Sequence, residues 1–149
     1  MKKTSLFSGT FDPFTIGHDS IVKRALSITD ELIIAIGRHP EKKTYFSLEE
    51  RIAMIKKIYD DESRISVASY DMPTVEFAKQ SGVDFIIRGI RGINDFDYER
   101  NMADLNLQLS DIETVFLFSY PEYTCISSSL VREFITYQKD ISQLIPITK

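Results

Sequence analysis

The chain has 149 residues, 43% of them hydrophobic and 27% charged, and its 18 basic and 22 acidic side chains give a formal net charge of -4. Such a length suits one domain over residues 1–149, able to bury roughly 68–70% of its unfolded surface, and the acidic balance argues against a nucleic-acid partner, for which a basic balance is expected. The single Cys125 excludes an internal disulfide framework and suits a reducing compartment, while one Cys and two His (His18, His39) argue against a dedicated zinc site. The basic start MKKTSLFSGTFD carries an apolar run too short for a signal peptide, and no stretch approaches the length of a membrane span. A soluble cytoplasmic protein is expected.

Strand and helix signals alternate along the chain. Leu6-Phe7 lies in a first strand that runs into Gly9-Thr10-Phe11-Asp12-Pro13. Ile21, Val22, Ala25, Leu26 and Ile28 make the apolar stripe of a first helix. Glu31–Gly37 reads as a buried strand, and residues 38–46 (RHPEKKTYF) as a basic loop. Ser47-Leu48-Glu49-Glu50 is a capping box that opens a helix through Tyr59. A β-branched strand follows over Arg64–Tyr70, then a short helix over Thr74–Ser81 stopped by Gly82, then a strand over Asp84–Gly89. Residues 95–109 have helical period, Thr114–Ser119 is a last strand, and Ser128–Tyr137 a last helix, before a short helical turn and tail in SQLIPITK.

Continuous apolar strands separated by helices imply a parallel sheet covered on both faces. With right-handed crossovers, the expected fold is α/β: a single-domain, doubly wound, Rossmann-like parallel sheet of five strands with helices on both faces. Ligands in such folds bind beyond the carboxyl ends of the strands, at a switch point. Polar or glycine-rich stretches follow three of these strands, at Gly9–His18, Arg88–Arg91 and Tyr123–Ser129, so the topology should bring them to one rim.

Four clusters on that rim carry chemistry. Gly9, Thr10 and His18 surround a strand-to-helix turn, where outward N–H groups and the helix dipole favour an anion. The spacing is neither GxGxxG nor a P-loop, and an ordinary βα turn with an exposed His18 is the bland alternative. Lys42, flanked by Lys43 and preceded by Arg38, offers a flexible point charge; such pairs are usually solvated surface. Arg88 and Arg91 bracket Gly89 and suit phosphate oxygens, unless Asp95, Asp97 or Glu99 pairs with them. Ser127-Ser128-Ser129 precede an apolar helical pattern; one serine is explained as an N-cap, and the surplus suits a triphosphate. No Gly-x-Ser-x-Gly elbow or Ser–His–acid triad suggests covalent catalysis.

Taken together, GTFDPFTIGH, PEKK, IIRGIRGINDFDYE and YTCISSSLVRE closely resemble the bacterial phosphopantetheine adenylyltransferases, nucleotidylyltransferases with an HxGH-type signature. The four motifs occur in the same order along nearly the whole chain. The resemblance implies transfer of the adenylyl group of ATP to 4'-phosphopantetheine, giving dephospho-coenzyme A and pyrophosphate. It implies that Thr10 and His18 contact the α-phosphate, with Lys42 and Arg91 completing the catalytic set. Lys42 and Arg88 would hold the acceptor phosphate, and Thr74 would line its arm. ATP would be bound by Thr10, Phe11, His18, Gly89, Ile90, Arg91, Glu99, Tyr123, Thr124, Cys125, Ile126, Ser127, Ser128 and Ser129. Mg²⁺ would travel with the triphosphate, with no protein metal site, and the family is typically homohexameric.

The chain departs from the family pattern at several points. The signature's first position is Thr15, a common variant, and Ser8 stands where proline is frequent. Thr74 occupies a usually apolar position, and Arg38-His39 add charge where small residues are usual. The mechanism implied is direct in-line displacement, since a phosphate oxygen is already a competent nucleophile and catalysis reduces to positioning and electrostatic stabilisation. The alternatives are a related HxGH-type enzyme acting on another phosphate-bearing acceptor, and a nucleotide-binding regulatory module without turnover. A plain structural domain leaves the arginines and serines unexplained.

Overall fold

The structure, a computed structural model, describes residues 1–147. Five strands form one parallel sheet: β1 (Thr4–Gly9), β2 (Glu31–Gly37), β3 (Ile65–Tyr70), β4 (Phe85–Ile90) and β5 (Glu113–Phe118), in the order β3-β2-β1-β4-β5. Between and after them run α1 (Ile16–Ala25), α2 (Leu48–Ile58), α3 (Thr74–Ser81), α4 (Ile93–Ser110) and α5 (Ser128–Thr136). The expected doubly wound α/β sheet is the one observed.

The apolar runs explain the layers. In β1, Leu6 and Phe7 point to opposite faces and both are buried, as strands covered on both sides must be. On one face Phe7, Ile34, Ile36 and Ile87 pack with Ile21, Val22 and Ala25 of α1 and Ile55 of α2. On the other, Leu6, Ala35 and Ile86 pack with Ala78 of α3 and with Val83 and Ile112. Truncating a fully buried Leu6 or Ile86 to alanine in such a core costs about 2–5 kcal/mol.

The winding sets the site. From β1 the chain moves through β2 to β3 at one edge, then returns across to β4 on the other side of β1. The order therefore reverses between β1 and β4, and their carboxyl ends open the crevice where α/β sheets bind ligands.

Some boundaries differ from the sequence reading. The first helix stops at Ala25, so Ile28 is not part of its stripe and is 46% exposed. Tight bonds from Ser27 N–H to Arg24 O and from Ile28 N–H to Ala25 O end it, and Thr29 then turns the chain into β2. α4 begins two residues earlier than expected, and a 3₁₀ turn over Pro121–Tyr123 had no signal in the apolar pattern. The C-terminal segment makes a single turn closed by Leu144 N–H to the Ile141 carbonyl at 2.8 Å; the Leu144 carbonyl accepts the Ile16 N–H at 3.0 Å, satisfying one open donor at the start of α1. The end of the predicted tail, residues 148–149, lies outside the described residues.

Candidate active site

The turn leaving β1 is shaped by Phe11, whose φ is 52°. Its ring folds back on Gly9, where a Cβ would come within 2.9 Å of the ring carbons. The folded-back Phe11 ring thus by itself requires glycine at position 9, which also lines the cleft. Thr15 then caps α1. Its Oγ1 accepts the His18 N–H at 3.3 Å, and its own N–H donates to His18 Nδ1 at 3.0 Å. The ring takes the place that Glu or Gln holds in an ordinary capping box.

This arrangement defines the imidazole. With Nδ1 accepting from the backbone, the neutral ring carries its proton on Nε2. Phe7, Phe11 and Phe14 surround it, with ring centroids 6.3, 5.0 and 5.2 Å away. Burial, with the charges of Arg91 and Arg88 adding to it, lowers its pKa from 6.5 to about 3. His18 is therefore a neutral N–H donor at neutral pH, rather than the exposed residue of the bland alternative.

Arg88, within β4, and Arg91, just after it, both have acidic partners. Arg88 Nε and Nη2 grip both carboxylate oxygens of Glu99, and Nη1 reaches the Ser8 carbonyl and its Oγ, the latter at 3.1 Å. Glu99, expected among the ATP ligands, thus has both oxygens engaged by Arg88. Arg91 Nε lies 3.5 Å from Asp95 Oδ2 at the exposed mouth. Gly89 lies under α1, and a Cβ there would press on Ile21 at 3.2 Å.

The basic loop and α5 close the opposite wall. Lys42 Nζ donates to Thr10 Oγ1 at 3.1 Å. Arg51 of α2, buried, donates to the Thr10 carbonyl at 2.8 Å. Each of the three serines already has a protein partner. Ser127 Oγ caps Leu130 N–H, Ser128 Oγ donates to the Pro13 carbonyl, and Ser129 Oγ accepts from Arg132. The donors left for a polyanion are the hydroxyl protons of Ser127 and Ser129 and the first N–H groups of α5. The surplus read from the sequence is therefore smaller than three free hydroxyls, but it faces the right way.

All of this surrounds one cleft of about 390 Å³. Thr10, Phe11, His18, Lys42, Arg88, Gly89, Arg91 and Glu99 line it, with Tyr123, Ile126, Ser127, Ser128 and Ser129. Ile90 is instead buried beneath it. Thr124 bonds back to the Tyr120 carbonyl and Cys125 is exposed, and neither side chain lines the cleft. Thr74 lines a smaller neighbouring pocket that shares Ser8, Arg88 and Glu99 with the cleft. Its hydroxyl pairs with Tyr70 Oη at 2.8 Å, so the polar residue at this usually apolar position has a partner within the fold.

Residues the sequence reading passed over hold the walls together. Asp12, Ser8 and Arg132 line the cleft, and Arg51 braces it from behind. Asp19, next to His18, accepts from Tyr59 Oη at 2.5 Å and pairs with Lys23 at 2.8 Å, tying α1 to α2. A lone Asp in a turn and an acidic residue in a first helical turn both read as caps, which hid these roles.

Residues 6–134 match the cytidylyltransferase-like family. A phosphopantetheine adenylyltransferase of Bacteroides thetaiotaomicron is 55% identical over 144 residues, covering 97% of this chain and 95% of that protein. The chain belongs to the phosphopantetheine adenylyltransferase family. The family's enzyme from Bacteroides fragilis is 54% identical, with 97% and 96% covered. Among solved structures, a bifunctional NMN adenylyltransferase/ADP ribose pyrophosphatase from Francisella tularensis superposes with a TM-score of 0.72 at 18% identity, over 97% of this chain and 45% of that one. This chain spans less than half of that larger protein, and the likeness concerns the fold.

Proposed function

We propose that this protein transfers the adenylyl group of ATP to 4'-phosphopantetheine, forming dephospho-coenzyme A and pyrophosphate. The observation that carries the reading is the meeting of His18, Lys42, Arg88, Arg91 and the α5 N-terminus around one cleft at the β1/β4 switch point. The near full-length relatives bearing that enzyme's name support it.

An acceptor phosphate oxygen, already anionic, attacks the α-phosphorus of ATP. The P–O bond to the β-phosphate breaks, and pyrophosphate leaves with the electron pair. No general base is needed, so the cleft has only to position two anions and stabilise the charge that builds on the α-phosphoryl oxygens. The Nε2–H of His18 donates there without a proton changing hands. Thr10 and Lys42 meet the same phosphoryl from the loop side. Arg88, with Lys42, holds the acceptor phosphate, and the pocket beside Thr74 takes its arm. Arg91 and the open donors of α5 hold the triphosphate, which brings Mg²⁺ with it as part of the substrate.

The reading extends to assembly and location. Ile93, Leu105 and Leu109 of α4, with Phe118 at the end of β5 and Tyr120 beyond it, leave large apolar side chains exposed, as suits burial between subunits of a homohexamer. Sedimentation velocity tests this; a monomer at micromolar concentration overturns it. Among the described residues, no helix is long and apolar enough to cross a membrane, and we place the enzyme in the cytoplasm, which cell fractionation checks.

Pyrophosphate release with ATP and phosphopantetheine, run beside nicotinamide mononucleotide and glycerol 3-phosphate, tests the reaction. Phosphopantetheine should be preferred by kcat/KM. Equal or better turnover of another acceptor would move the chain to a sister activity. An adenylyl-enzyme trapped from labelled ATP would overturn direct displacement.

A further inference from the structure

Asp12 is a buried titratable group that the mechanism above does not use. It is 4% exposed, and its two oxygens go to the backbone of the basic loop: Oδ2 accepts the Tyr45 N–H at 2.8 Å and Oδ1 the Phe46 N–H at 2.9 Å. Its nearest cation is Arg132, 4.0 Å from Oδ2, whose Nη1 donates instead to the Asp12 carbonyl at 2.8 Å. A carboxylate removed from water without a close ion pair is costly unless hydrogen bonds replace its hydration. Here two adjacent N–H groups do so, and they fix where the loop lies.

The loop has few other holds. Within it, Lys42 N–H bonds to the His39 carbonyl and Thr44 Oγ1 to the Phe46 carbonyl. At the loop's start Arg38 N–H donates to the Tyr70 carbonyl at 2.7 Å; beyond it, among the described hydrogen bonds, residues 39–46 reach the rest of the molecule through Asp12 and through Lys42 Nζ, which meets Thr10 Oγ1. Thr10 itself is braced by Arg51. One three-residue stretch, 10–12, thus receives both the loop's ammonium and the loop's backbone. We propose that Asp12 is a positioning residue, whose carboxylate clamps the 38–46 loop so that Lys42 stands over Thr10 at the site of phosphoryl transfer. The inference rests on the adenylyl-transfer reading for what Lys42 does, but not for what Asp12 holds.

The chemistry calls for a carboxylate. Two neighbouring N–H groups need two acceptors, and an asparagine offers one acceptor and turns an NH₂ toward the other donor. Asp12→Asn therefore loosens the loop while keeping side-chain volume. Against phosphopantetheine, Asp12→Asn should lower kcat/KM about tenfold, within the coupling expected of contacting residues, while KM for ATP changes less than about twofold. Asp12→Asn combined with Lys42→Ala should be no worse than Lys42→Ala alone. If the two losses instead multiply, or if Asp12→Asn leaves kcat/KM unchanged, the clamp is overturned.

Should Asp12→Asn fail to fold, Tyr45→Pro removes one of the two donors and leaves Asp12 in place, and the same cycle is run with it. A second arm reads the clamp without turnover. Amide hydrogen exchange over residues 38–46 should quicken at least about tenfold in Asp12→Asn, as expected when a hydrogen-bonded segment opens locally; unchanged exchange there overturns the proposal. If the native enzyme released no pyrophosphate with phosphopantetheine, the adenylyl-transfer reading would fall, and the exchange arm would still decide whether Asp12 holds the loop.

Discussion

His18 and Arg88 face the same cleft but were prepared for it in opposite ways. His18 is local: its cap partner Thr15 is three residues away and its aromatic cage comes from residues 7–14. Burial keeps it uncharged. Arg88 is assembled over distance, from Ser8 of β1 and Glu99 of α4, and its permanent charge is matched by the carboxylate fastened to it. On the proposed reaction, the difference separates two tasks. A neutral donor adds little to the binding of a charged ground state, and its hydrogen bond strengthens as charge builds on the phosphoryl oxygens. A cation with a fixed counterion holds a geometry for an incoming phosphate and avoids an unpaired buried charge before it arrives.

Removing each group should expose that division. His18→Ala is expected to lower kcat about 10²–10³-fold, the usual cost of losing one such donor. ATP affinity by calorimetry should fall far less; equal losses would make His18 a plain binding residue. Glu99→Gln should act differently. It leaves the His18 donor intact but takes one charged acceptor from Arg88, costing about 1.5–3 kcal/mol of stability in thermal or urea unfolding. The kinetic loss should fall on KM for phosphopantetheine. A kcat defect with unchanged KM would mean that Arg88 serves the reacting phosphoryl instead.

The same contrast explains what could be read in the sequence. Features built within one turn of chain were legible. The Ser47–Glu50 box forms with both bonds at 3.1 Å, Gly82 stops α3 at φ 65°, and Ser127 caps α5. The alternation of buried strands fixed the sheet and, through its switch point, the rim. Features closed over distance were not. The sequence offers Asp95, Asp97 and Glu99 alike as partners for Arg88 and Arg91, and does not say that Glu99 is the one buried against Arg88 of β4, 11 residues away in the chain. Asp12 reads as a turn residue, yet its partners are Tyr45 and Phe46, more than 30 positions downstream. The need for glycine at positions 9 and 89 is likewise set over the fold: a Cβ there would meet the Phe11 ring and Ile21. Periodicity reports which face of an element is buried; it carries no information about which distant polar group meets it there.

The smallest expected effect sharpens the histidine side of the comparison. His18 has a folded pKa of about 3 against 6.5 for an unperturbed imidazole. The unfolded chain therefore binds a proton at His18 at pH values where the folded chain does not. This group's share of stability is intact above pH 6.5 and is lost as pH falls from 6.5 toward 3, at up to about 1.4 kcal/mol per unit. Urea unfolding at pH 7.0, 6.0 and 5.0 measures that slope, and subtracting the slope of His18→Gln isolates it. If the variant declines as steeply as the native enzyme, His18 takes up a proton between pH 7 and 5 in the folded chain as readily as in the unfolded one. Its neutral Nε2–H would then give way to an imidazolium, and the site would contain one more cation facing the triphosphate.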